Sequence, residues 1–168
     1  MNNNRTVIFL GALLAAVLIG TAIFWWISRK SDAGEVTAPS VTTVEVHFIN
    51  DQISSNISCE QTHGVPREIN IEAASAPEAS LKALLAGPND TERKLAYYTN
   101  INPGTGLNSL SIDQGVARVD FNESLNFGVA GSCLVTSIRA QIENTLRQFP
   151  AIETVEIMVN GRSDILQP

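Results

Sequence analysis

The last third of the chain most constrains the fold, because it combines an amphipathic helix with a strand that follows almost directly. From Cys133 onward, apolar residues recur at intervals of three and four, which predicts a helix with one buried face that ends before Pro150. Alternating apolar residues over positions 155–159 then predict a closing strand. Since such a helix must bury its apolar face, the pattern indicates a layer of helices packed on a sheet.

Earlier segments supply the rest of that sheet. Alternation predicts strands at 44–49 and 65–71, and a hairpin in which strands at 110–112 and 117–121 flank a turn at 113–115. Ser75, followed by Pro77 and Glu78, predicts the start of a second helix. Residues 89–106 show no regular pattern. We therefore predict an α+β fold, with one small mixed β-sheet and two helices packed on one face, and parallel pairing through right-handed crossovers.

The N-terminal segment predicts a membrane anchor. Residues 7–27 are 21 positions without a charge, long enough as a helix to cross the roughly 30 Å hydrocarbon core of a bilayer. Two tryptophans and then Arg29 and Lys30 follow, as expected at a membrane interface. A cleaved signal peptide is the alternative, with a small-residue site at 31–33. The predicted organisation is a tail and transmembrane signal-anchor helix at 1–30, a flexible tether at 31–43 and a folded domain at 44–168.

The charge of the predicted domain argues against nucleic acid as a partner. Beyond position 30 the chain has eight basic and seventeen acidic residues, a formal charge of −9. A protein that neutralises phosphates needs a basic face, and no run of basic residues is present. The acidity is typical of a solvated surface.

Two cysteines, Cys59 and Cys133, predict one disulfide bond, which persists outside the cytoplasm. This pairing orients the chain with its N-terminus cytoplasmic and its C-terminal domain extracytoplasmic. A reactive Cys133 thiolate at the helix N-terminus, with His47 or His63 as base, is an alternative. Two unpaired buried thiols are another. A metal site from Cys59, His63 and Cys133 lacks a recognised ligand spacing, so we expect no metal and no cofactor.

Several segments in fixed order resemble the GerMN domain of sporulation and spore germination proteins. They are Leu-Leu-Ala-Gly-Pro at 84–88, Val-Ala-Arg-Val-Asp-Phe at 116–121, Gln-Phe-Pro at 148–150 and the strand with Asn-Gly at 155–161. Arg67 occupies a position where the family usually has arginine. The resemblance covers residues 44–168 and implies a fold similar to ring-building motifs of envelope-spanning complexes. The single copy and the cysteine pair differ from the best-known members.

The expected function is a non-catalytic interaction or assembly module of the bacterial cell envelope, bound to envelope proteins or to copies of itself. A peptidoglycan or cell-wall glycan binder is the alternative, with Tyr97 and Tyr98 as the candidate aromatic contacts and Arg67 as a further candidate contact. A thiol enzyme that uses Cys133 is the third possibility. The sequence has no Gly-x-Ser-x-Gly elbow, phosphate loop or zinc-protease motif.

Overall fold

A computed structural model describes residues 41–54, 58–71, 74–163 and 166. Five strands, three α-helices and one short 3₁₀ helix, Glu123–Asn126, form these parts of the chain. The strands are β1 (Val41–Phe48), β2 (His63–Asn70), β3 (Leu107–Asp113), β4 (Val116–Phe121) and β5 (Thr154–Val159). The helices are α1 (Ala76–Leu85), α2 (Asp90–Lys94) and α3 (Ser132–Arg147). The predicted α+β class is confirmed.

The strands form two small sheets, so the prediction of one mixed sheet is wrong. β1 and β2 pair antiparallel as a two-stranded sheet, and β3, β4 and β5 form the other in that spatial order. The second edge of β1 is bonded to side chains of α3 instead of to a third strand. Gln148, just after α3, accepts from the backbone N–H of Glu45 at 2.8 Å and donates to its carbonyl at 2.7 Å. Thr145 accepts from the N–H of His47 at 3.0 Å. These bonds occupy the edge that another strand would need.

The hairpin and the crossover agree with the sequence pattern. Gln114 and Gly115 have φ angles of 46° and 81°, as the two central residues of a tight hairpin turn require, and β3 pairs antiparallel with β4. α3 then returns the chain so that β5 pairs parallel with β4. The inward residues of β4, namely Ala117, Val119 and Phe121, are fully buried as their alternation predicts.

The described part of the chain has three α-helices where two were predicted for the folded domain. α1 begins as expected, because the Ser75 side chain accepts from the Glu78 N–H at 3.4 Å. α2 lies in the stretch predicted to be irregular. Its signal was present, since the Asn89 and Glu92 side chains bond each other's backbone N–H in a capping box. The helix has only five residues, too few for apolar periodicity to reveal it.

One apolar core joins both sheets and the two longer helices. α1 packs on β1, β2 and α3, and α3 packs on β1 and β5. The largest fully buried apolar side chains are Phe48, Phe121, Leu81, Leu84, Leu125, Ile138, Ile142, Leu146 and Leu166. They come from β1, α1, β4, the 3₁₀ helix, α3 and the C-terminal end, so the core is built from positions far apart in the sequence.

Two expectations concern the N-terminal part. β1 begins at Val41, so the strand includes the last three positions of the predicted tether. Within the parts of the chain that the structure describes, no helix has both the length and the apolar character to cross a bilayer. The predicted spanning segment, residues 7–27, lies outside those parts.

Candidate binding site beside the disulfide

The predicted disulfide bond is present between Cys59 and Cys133, whose Cα atoms are 5.1 Å apart across 74 positions of sequence. Cys59 lies in the connection between β1 and β2, and Cys133 is the second residue of α3. Cys133 is exposed and Cys59 is half-buried. Because the bond uses both thiols, the oxidised protein has no Cys133 nucleophile and no cysteine ligands for a metal.

The two histidines proposed as bases have other partners. His47 Nδ1 lies 3.1 Å from the Thr62 hydroxyl, and His63 Nε2 lies 3.1 Å from the Ser54 hydroxyl. Burial lowers the pKa of His47 below its ordinary value of 6.5, against the opposing effect of Glu45 and with a small contribution from His63. His47 lies on β1 and His63 on β2, and each bonds a hydroxyl of the connection between these strands, as a structural hydrogen-bonding group.

A surface cavity of about 330 Å³ adjoins the disulfide. It lies among the loop after β1, the segment after α2 and the first turns of α3. Its principal lining residues are Asp51, Tyr98, Asn100, Ser137 and the two cysteines. A separate, more open cavity of about 520 Å³ also reaches Cys133 and Asn100, so the bond is approached from two sides.

Tyr98 is held rigidly at the edge of the first cavity. Its backbone exchanges two hydrogen bonds with Ile49, at 3.0 and 2.9 Å, and its hydroxyl donates to Asp51 at 2.7 Å. Burial, followed by the hydrogen bond and the charge of Asp51, raises the pKa of Tyr98 to about 12. The phenol is therefore neutral at physiological pH, and the residue is 39% exposed.

Asn100 and Ser137 form the polar side of the cavity against α3. The Asn100 side-chain amide donates to the Ser137 hydroxyl at 2.9 Å. Ser137 is buried, and the Gln141 side chain donates to its carbonyl at 3.2 Å. The cavity thus combines an aromatic ring, a carboxylate, an amide and a hydroxyl, groups that are suited to hydrogen bonding and stacking.

Two further exposed apolar residues lie on the chain segments that border this cavity. Ile53 is 55% exposed and Leu95 is 60% exposed. Ile53 lies in the loop after β1 and Leu95 on the same segment as Tyr98, and these two segments are joined because the Asn50 side chain donates to the Leu95 carbonyl at 2.8 Å. We call Ile53, Leu95 and Tyr98 together the Tyr98 surface. Apolar residues that share one surface are more informative than scattered ones, because a cluster indicates a binding face.

The other predicted contact residues have structural partners. Arg67 forms an ion pair with Glu92 at 2.5 Å, donates to the Gly87 carbonyl at 3.4 Å and stacks over the Phe48 ring at 5.8 Å. Tyr97 packs against the core. Of the residues singled out from the sequence, the structure brings together Tyr98, Cys59 and Cys133. Asp51, Asn100 and Ser137 were missed, because isolated polar residues in loops and on a helix have no distinguishing sequence signal.

A further polar groove, of about 360 Å³, runs along the exposed side of α3. Within it, Glu143 accepts from Arg139 at 2.9 Å and from Arg147 at 2.8 Å. Arg139 also donates to the Leu166 carbonyl at 3.1 Å. The charged groups of the groove are therefore paired with each other. We interpret them as an ion-pair network that stabilises the helix. Among the described residues, no group of three or more metal-binding side chains occurs.

Comparison with known proteins identifies the domain. The family model described as Germane, sporulation and spore germination, matches residues 45–164. The tandem GerMN domains of the sporulation protein GerM from Bacillus subtilis superpose with a TM-score of 0.56 at 21% identity, covering 79% of this chain and 43% of that one. This chain therefore spans less than half of the tandem structure. The first GerMN domain of the same protein gives a TM-score of 0.51 at 17% identity, covering 73% of this chain and 85% of that one. No curated protein matches at a significant level.

Proposed function

Because the chain belongs to the Germane family of sporulation and spore germination proteins, we propose that it is a membrane-anchored, extracytoplasmic interaction module of the bacterial cell envelope. In this proposal residues 7–27 anchor the chain, and the domain binds a partner protein without catalysis. The disulfide supports an extracytoplasmic location, since such bonds persist in oxidising compartments.

The observation that carries the proposal is the Tyr98 surface. Three exposed apolar residues lie on two segments that hydrogen bonds hold in one arrangement. Ordered apolar groups next to a cavity lose little conformational entropy on binding, which favours association with a second protein. Aromatic anchors such as tyrosine are also enriched at protein interfaces.

The charge of the domain indicates which partner the surface accepts. With a formal charge of −9 beyond position 30, two copies of the chain repel each other electrostatically. Asp51, beside Tyr98, adds a negative group to the surface itself. The proposed partner is accordingly a different envelope protein, with a basic and partly apolar binding face.

Photo-crosslinking of the full chain in intact cells tests this proposal. A photoreactive amino acid at Tyr98 should give a discrete adduct with one other protein, because the residue lies in the interface. The matched control is the same amino acid at Ile112, which is equally exposed at 39% but lies on β3. Ile53→Ser with Leu95→Ser should abolish the adduct while the disulfide still forms.

Three results contradict the proposal. An adduct of twice the chain's own mass indicates self-association. Equal adducts from positions 98 and 112 indicate non-specific contact. An adduct that muramidase digestion releases as glycan fragments indicates the cell wall.

The cavity favours a cell-wall glycan as the second candidate ligand. An exposed aromatic ring next to a carboxylate and an amide can stack on a sugar and bond its hydroxyls, and Tyr98, Asp51 and Asn100 provide these groups. Co-sedimentation of the purified chain with cell wall tests it. Pelleting with the cell wall that Tyr98→Ala abolishes supports glycan binding. Protein that stays in the supernatant excludes it.

A further inference from the structure

We propose that the Cys59–Cys133 bond is a site of thiol–disulfide exchange with a protein dithiol, in which the reductant attacks Cys59 and Cys133 is the leaving group. This inference does not depend on the proposed partner. It begins from the position of the bond, which lines a surface cavity of about 330 Å³ and reaches a second of about 520 Å³. Exchange requires access to a sulfur atom, and accessible bonds are the labile ones.

Neither cysteine is part of the apolar core, which the two sheets, α1 and α3 complete without them. Hydrogen bonds hold the connection that contains Cys59 near both of its ends. Asn144 of α3 donates to the Thr62 hydroxyl at 2.9 Å, and the Ser54 hydroxyl donates to the Asn50 carbonyl at 2.8 Å. These contacts remain when the disulfide is cleaved. Cleavage of the disulfide therefore alters the wall of the cavity and leaves the core in place.

The surroundings of the two sulfur atoms are unequal. Cys133 lies in the first turn of a 16-residue helix that has no acidic residue in that turn and no side-chain cap on its N-terminus. The N–H groups and dipole there stabilise a Cys133 thiolate. Cys59 is followed by the exposed Glu60, whose negative charge opposes a thiolate on Cys59. Cys133 is the more exposed of the two residues, but the sulfur that better carries negative charge leaves faster, so attack is directed to Cys59 within the cavity that both cysteines line.

The exchange balances in two steps. One thiol of the reductant loses its proton to solvent, and the thiolate attacks Cys59 Sγ. A bond forms between reductant and Cys59, and the pair of electrons from the broken S–S bond leaves on Cys133 Sγ. The second thiolate of the reductant then attacks its own sulfur in the mixed disulfide and releases Cys59. The reductant becomes a disulfide, and the chain gains two electrons and takes up two protons as two thiols.

A trapping experiment on the full chain tests the direction of attack. The probe is a thioredoxin whose second active-site cysteine is serine, so that the mixed disulfide cannot resolve onto the reductant. After acid quench, alkylation and peptide mass analysis, we expect the probe on Cys59 and the alkyl group on Cys133. Linkage through Cys133 overturns the assignment. Absence of linkage in the folded chain, with linkage in urea, overturns the exchange site itself.

A second measurement tests the cause of the asymmetry. Ser132→Asp places a carboxylate beside Cys133 in the first turn of α3, which should slow reduction by dithiothreitol about 3- to 10-fold because the departing thiolate is opposed. The control is Ser111→Asp, an exposed position on β3 that adds the same charge away from the helix terminus, which should change the rate less than twofold. Equal rates for both variants and the parent chain contradict the proposed role of the helix terminus.

Discussion

At the scale of single residues, Arg67 and Glu92 show how the fold uses charge internally. Glu92 accepts from Arg67 and from the N–H and side-chain amide of Asn89, so one carboxylate joins β2 to α2. Both side chains are largely buried. Removing one charge from a pair in this environment leaves the other without compensation.

Glu92→Gln should therefore lower the free energy of unfolding by about 2 to 3 kcal/mol, as measured by urea denaturation. The control is Asp90→Asn on the same helix, whose ion pair with Arg93 is exposed, and this variant should cost less than about 0.5 kcal/mol. Similar losses in the two variants would show that burial of the Arg67–Glu92 pair is energetically unimportant.

The burial of His47 should make the stability of the folded chain depend on pH. Burial lowers the pKa of His47 in the folded chain, so the unfolded chain binds this proton at higher pH. The contribution to stability is therefore complete above the ordinary value of 6.5 and declines as pH falls through the lowered folded pKa. Urea midpoints should decrease from pH 7 to pH 5, and His47→Gln should flatten this slope. His63→Asn is the control. If the pH slope persists in His47→Gln but vanishes in His63→Asn, then His63 and not His47 causes the pH dependence.

At the scale of elements, α3 has two roles. Its apolar face completes the core, and polar residues at its C-terminal end bond the free edge of β1. Unpaired strand edges promote association between chains, and covering them with a helix prevents it. The end of α3 therefore covers the edge of β1 that β2 leaves unpaired.

Gln148→Leu removes two hydrogen bonds to Glu45 and should lower the free energy of unfolding by about 1 to 2 kcal/mol. It should also increase self-association, because the edge of β1 becomes available for pairing. Urea denaturation and sedimentation velocity measure the two effects. Gln52→Leu, in the loop after β1, is the control. A variant that is as stable and as monomeric as this control would contradict the covering role of Gln148.

At the scale of the whole molecule, the disulfide links distant parts of a chain whose core is complete without it. A bond that closes a loop of 74 positions stabilises the folded state by about 4 kcal/mol on the loop-entropy model. Cys59→Ser with Cys133→Ser should lower the free energy of unfolding by roughly that amount. The thermal midpoint should fall as well. Circular dichroism should still report a cooperative transition. An unfolded double variant would show that the bond is indispensable, and unchanged stability would contradict the loop-entropy account.

Some elements of the fold were predictable from the sequence and others were not. The strands of the hairpin, α1, α3 and the closing strand were predictable, since period and capping residues are properties of neighbouring positions. The cysteine pairing was predictable because two cysteines allow only one bond within a chain. α2 escaped detection, although its capping box is visible once sought.

By itself, then, the sequence determined the longer elements, the α+β class and the covalent link. Only the tertiary structure decided that the strands separate into two sheets and that a cavity lies between Tyr98 and the disulfide. Both depend on bonds between positions far apart, such as Tyr98 with Asp51 and Gln148 with Glu45, 47 and 103 residues away in sequence. A local sequence pattern indicates whether a residue will be buried or exposed. Only the folded structure shows which distant residue it contacts.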